Sequence, residues 1–144
     1  MKKFSLLFSG LFISMALFAQ KDSLQLSCPL NNIIIKDPNK TGPYHYDQPD
    51  RKLILVSPTD TSFLSPVDGK IFSISMGDEK KYEIVMYYRD YYIWIIGVTK
   101  PVVKRNQVVK RGQQLARISP NEEIEFLLFK NDTPLDPRGY LECK

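Results

Sequence analysis

The sequence predicts an all-β fold, and three observations carry that prediction. Short runs rich in Ile, Val, Tyr and Phe recur from Lys52 onward. Clusters of Pro, Gly, Asp and Ser bound them. No window holds a capped stretch of helical periodicity long enough to form a helix. Taken in order, the predicted strands are Leu53–Val56, Lys70–Ser75, Lys81–Tyr88, Tyr91–Ile96, Gln107–Val109, Gln114–Ile118 and Ile124–Phe129. Ser57-Pro58-Thr59-Asp60, Val67-Asp68-Gly69, Met76-Gly77-Asp78 and Arg89-Asp90 are the turns between them. Residues 20–51 read as an N-terminal arm, with one strand expected around Ile33-Ile34-Ile35 and a breaker-rich loop from Asp37 to Pro43. Residues 52–144 form the β domain.

Composition limits the chemistry. A chain of 144 residues supports one core, and 43% hydrophobic with 25% charged residues excludes a disordered or low-complexity chain. One His excludes zinc sites built from two or three histidines. Two Cys exclude a four-cysteine zinc site and a multi-bridge scaffold. No Gly-x-Ser-x-Gly turn and no phosphate-cradling glycine loop occurs.

Residues 1–19 read as a secretory signal peptide. Lys2 and Lys3 precede an apolar stretch from Phe4 to Phe18, and Ala19 offers a small residue at the cut. That stretch is shorter than the roughly 20 residues that span a bilayer. An uncleaved anchor is the competing reading. Cleavage removes two lysines and no acid, so the formal charge falls from +4 to +2. The case for a nucleic-acid partner weakens accordingly. The expected location is periplasmic or secreted, with no stable membrane anchor after cleavage. In such a compartment Cys28 and Cys143, at opposite ends of the mature chain, are expected to pair, two buried free thiols being the alternative.

One internal repeat stands out. Val102-Val103-Lys104-Arg105-Asn106-Gln107 is followed by Val108-Val109-Lys110-Arg111-Gly112-Gln113. The one mismatch exchanges Asn for Gly, the residues most tolerant of positive φ. Two successive strand-to-turn corners are expected, with the Val pairs in the core and Lys and Arg projecting. A solvated corner and a basic patch for an anionic polymer both remain open.

Ser65-Pro66-Val67-Asp68-Gly69-Lys70-Ile71 resembles the A/S-P-x-D-G-x-V corner of the lysostaphin/LytM-type zinc endopeptidases. Leu53 to Phe63 looks like the strand and turn leading into it. Val103 to Leu115 is similar to the V-x-x-G-x-x-V-x-x-G-Q-x-I stretch, and Asn131 to Leu141 to the closing N-G-x-P-x-D-P-x-x-Y-L. The resemblance covers roughly residues 50 to 141 and implies a compact antiparallel β-sandwich or barrel of the duplicated hybrid motif type, grooved on one face. The family's zinc ligands do not accompany it. The corner motif places Asp50 where a ligand His belongs and Ile54 where the ligand Asp belongs. The closing motif places Glu123-Ile124-Glu125 on the family's His-x-His, and the mid-domain His falls near Gly97. A catalytic zinc needs about three protein ligands and an open position for water. An isoleucine ligates nothing, so no metal, no cofactor and no catalytic residue is expected. His45, in Tyr44-His45-Tyr46-Asp47, reads as a surface loop residue rather than a ligand.

Strand alternation puts Glu123 and Glu125 on one face, with Ile124 and Phe126 on the other. The resemblance makes the first face the lining of the former catalytic groove. A solvated strand face and a paired-carboxylate hydrolase are the other readings of these acids. Tyr82, Tyr87, Tyr88, Tyr91, Tyr92 and Trp94 crowd two adjoining strands. Alternation separates Tyr91, Ile93 and Ile95 from Tyr92, Trp94 and Ile96, so part of the ribbon is either covered or used for binding. The sequence therefore points to a non-catalytic exported domain. Its expected partner is peptidoglycan or an envelope protein such as a cell-wall hydrolase, bound through a groove edged by Asp50, Trp94, Glu123 and Glu125. A residual metal- or carboxylate-dependent peptidoglycan hydrolase is the alternative.

Overall fold

The computed structural model describes residues 24–38 and 51–144, and the predicted signal peptide, His45 and Asp50 lie outside them. Thirteen strands occur among the described residues: β1 Leu26–Ser27, β2 Ile34–Lys36, β3 Leu53–Val56, β4 Ser62–Leu64, β5 Gly69–Met76, β6 Tyr82–Tyr88, β7 Tyr91–Val98, β8 Lys100–Pro101, β9 Val108–Val109, β10 Gln114–Arg117, β11 Ile124–Lys130, β12 Thr133–Leu135 and β13 Leu141–Glu142. Single 3-10 turns at Asp78–Lys80 and Pro137–Gly139 complete them. The fold is all-β.

The large sheet runs β2-β3-β11-β7-β6-β5-β9, with β12 paired to β11, and all its pairings are antiparallel. A smaller antiparallel sheet, β4-β10-β8, lies against it. The core is the space between them. Phe63, Leu115 and Ala116 of the smaller sheet meet Leu53, Leu55, Ile71, Ile84, Met86, Ile93, Ile95, Phe126 and Leu128 of the larger, all essentially inaccessible to solvent. Each such large side chain contributes about 1.5–3 kcal/mol by leaving water.

The arm is more integrated than the sequence suggests and carries two strands where one was expected. β2 extends the large sheet, Ile35 standing opposite Leu55. β1 runs parallel to β13, with Leu26 opposite Leu141. Leu24, Leu26 and Leu30 enter the core. Cys28 and Cys143 are disulfide-bonded beside this pair, their Cα atoms 4.8 Å apart, within the span a disulfide bridges. Asp60 ties the arm to the turn after β3, accepting from the Asn32 backbone N–H at 2.8 Å and the Ser57 hydroxyl at 2.8 Å.

The repeat folds as two copies of one corner. The Lys104 N–H donates to the Gln107 side-chain oxygen at 3.0 Å, and the Lys110 N–H donates to that of Gln113 at 3.0 Å. Asn106 has φ 67° and Gly112 φ 82°, the left-handed geometry that the one mismatch anticipates. One expectation is corrected: only the second Val of each pair is in the core. Val103 and Val109 are buried, whereas Val102 and Val108 are exposed. Extended backbone turns successive side chains to opposite faces, so a pair cannot be buried together beside a single core.

Candidate functional site: the outer face of the large sheet

The hairpin β6–β7 sets the register of the outer face. Its two-residue turn, Arg89-Asp90, pairs Tyr88 with Tyr91, Tyr87 with Tyr92, Val85 with Trp94 and Glu83 with Ile96. β11 continues these rows, placing Phe129 beside Tyr92, Leu127 beside Trp94 and Glu125 beside Ile96. β3 places Ile54 beside Glu125, and β2 places Lys36 beside Ile54. Side chains in such rows share a face. Tyr91, Ile93 and Ile95 point inward and are buried, while Tyr92 and Trp94 face outward at 36% and 37% exposure. The split expected from alternation is the one observed.

Three rows cross the face. The first carries charge: Glu83, Ile96, Glu125, Ile54 and Lys36. The second is Val85, Trp94 and Leu127. The third is Lys70, Tyr87, Tyr92 and Phe129. Phe72 stands at a register shift in β5 and closes a cluster of rings, its centroid 6.5 Å from Tyr87 and 6.1 Å from Tyr92, both edge-on. That is the geometry favoured by ring quadrupoles.

Beyond the first row the face deepens into a cleft of about 560 Å³ lined by Asp78, Glu79, Glu83, Gly97, Glu122, Glu123 and Glu125. The three carboxylates after β10 are each held by a lysine from elsewhere in the chain. Lys36 reaches Glu123 at 3.0 Å, Lys52 reaches Glu125 at 3.2 Å, and Lys81 pairs with Glu122. The Lys36–Glu123 pair is largely exposed and contributes little to stability. On the opposite wall the Trp94 indole N–H donates to Glu83 at 3.3 Å.

The structure thus brings Trp94, Glu123 and Glu125 to one region, with Glu125 in the row next to Trp94. Sequence reasoning missed Glu83 and the three lysines. Glu83 was accessible in principle, because a two-residue turn at Arg89-Asp90 fixes its row. The lysines were not, since they come from 87, 73 and 41 residues away from their partners.

Zinc does not fit the donors described. Ile54 is a hydrocarbon side chain, 9% exposed, wedged beside Glu125. Glu123 and Glu125 are each engaged by an ammonium group. Among the described residues no group of three or more His, Cys, Asp or Glu stands close enough together to hold a metal ion.

No protein-family model and no curated protein matches the chain. Solved structures do. Helicobacter pylori Csd3 in its orthorhombic crystal superposes with a TM-score of 0.68 at 18% identity, over 85% of this chain and 36% of that one. A structure of the SpoIIQ–SpoIIIAH pore-forming complex gives 0.65 at 11%, over 83% of this chain and 92% of that one. The solution structure of lysostaphin gives 0.56 at 22%, over 81% and 51%. The chain therefore spans about a third of the length of Csd3. At these identities the likeness is one of fold.

Proposed function

Taking a fold of the lysostaphin/LytM type as premise, we propose that this chain is an exported, non-catalytic domain that binds a cell-envelope partner, peptidoglycan or a cell-wall hydrolase, through its outer sheet face. The observation that carries the reading is the row Glu83, Ile96, Glu125, Ile54 and Lys36. Where a metallopeptidase of this fold needs a ligand carboxylate, a packed isoleucine stands, and the acid beside it is spent on Lys52. Glu123 and Glu125 each already contact a lysine, Lys36 and Lys52, so neither is left free to face a substrate, which also weakens the paired-carboxylate hydrolase reading. Rigid strands presenting Trp94 and Tyr92 offer flat amphipathic surface for recognition at low conformational cost. Export is read from residues 1–19, and no helix among the described residues is long and apolar enough to cross a membrane.

The chain's likeness to proteins whose solved forms include a two-protein complex supports a partner-binding role. Two measurements test it. Purified protein incubated with peptidoglycan, with and without added zinc, should release no soluble fragments; metal-dependent release would restore the hydrolase reading. Capture of an envelope partner should fall several-fold for Trp94→Ala combined with Glu125→Ala, and unchanged capture would remove the face from the proposal.

A further inference from the structure

The outer face is polarised along its strands, and that polarity has a chemical complement: the same face of a second copy. At one end, the turn before β6 carries exposed Asp78 and Glu79 followed within it by a single lysine, Lys80, and neither acid is in a salt bridge among the described residues. At the other end Lys70, in the row of Tyr87 and Tyr92, and Lys110 beyond it line a shallow pocket of about 330 Å³ with exposed Val108. Neither lysine has a carboxylate partner among the described residues, and Asp68 in that pocket already accepts the Arg111 backbone N–H at 2.8 Å. Between the two ends lie the exposed apolar rings of Phe72, Tyr92 and Trp94. A contiguous apolar patch rimmed by charge marks an association surface.

We propose that two copies pair face to face about a two-fold axis lying in the interface, crossing the strands near Trp94. That operation reverses the strand direction and leaves the order of strands unchanged. It sets the Asp78–Glu79 turn of each copy against the Lys70 end of the other, with Trp94 against Trp94 on the axis. An isologous contact repeats each complementary pair twice, so every charge on the rim counts double. The rings supply apolar area at the centre, where interface energy concentrates. Pairing goes beyond the envelope-partner reading and does not rest on it, although the two would compete for the face.

The test is sedimentation equilibrium on the purified protein with charge-reversed variants. The wild type should dimerise, and more weakly as salt is raised. Lys70→Glu with Lys110→Glu, and separately Asp78→Lys with Glu79→Lys, should each weaken self-association about tenfold or more. Mixing the two variants should restore a heterodimer, because both symmetry-related contacts are then complementary. Circular dichroism would confirm that each variant folds. A wild type that stays monomeric, a dimer indifferent to both reversals, or a mixture that fails to rescue would each overturn the pairing. A monomer that still captures an envelope partner sinks this inference alone, and a dimer that captures none sinks only the earlier one.

Discussion

Gly97 has φ +104°, and a Cβ there would meet the Glu123 carbonyl oxygen at 3.0 Å. It bends β7 where the cleft opens, at the place the resemblance assigned to a histidine. Gly97→Ala should therefore destabilise the protein by about 1–2 kcal/mol, read as a lowered urea midpoint with an unchanged m-value. Asp136, like Asp60, is an acid among the described residues whose carboxyl is held below its ordinary value. Hydrogen bonds from the Arg138 side chain, offset in part by burial, hold its carboxyl below the usual aspartate value. A carboxyl depressed in the folded state binds fewer protons there than when unfolded, so its contribution is present above the unfolded value near 3.8 and is lost as pH falls through the folded one. Asp136→Asn should lower the urea midpoint at pH 7, and the gap should close in strong acid; a gap independent of pH would contradict the assignment. At this scale the legible part was whatever alternation decides, such as Glu125 outward and Phe126 inward. The lysines that engage the glutamates were hidden, because ion pairing between distant segments leaves no local signal.

The repeated corners show how far a short motif can be read. Position 106 and position 112 occupy equivalent left-handed turns, so Asn106→Gly should change stability by no more than a few tenths of a kcal/mol. Asn106→Val should cost about 1–2 kcal/mol, because a β-branched residue resists positive φ. Thermal unfolding of the two variants separates these outcomes. The long strands were legible for the same reason as the corners: β5, β6, β7 and β11 carry their own alternation and turn residues. β1, β4, β8, β12 and β13 were not, each being only two or three residues long. Lys100-Pro101 and Thr133-Pro134-Leu135 even contain proline, which argues against a strand unless a stronger neighbour accepts the edge. Their pairing is imposed by β10 and β11.

At the scale of the molecule, the sandwich was legible from strand spacing and four ordered motifs, while the closure of the ends was legible only as two cysteines and a compartment. What closure means physically becomes clear under load. Cys28 and Cys143 lie 115 residues apart in sequence yet adjoin each other in space. Tension applied through the two termini would run along Leu24 to Cys28, cross the sulfur bridge, and leave by Lys144. The load would fall on the short β1–β13 pair, and the two larger sheets would lie outside its path. In an optical trap the oxidised protein should lengthen only through residues outside the Cys28–Cys143 span, while added reductant should expose an unfolding step releasing most of the intervening polypeptide. A domain wired in this way can be pulled between its ends while its two larger sheets stay packed.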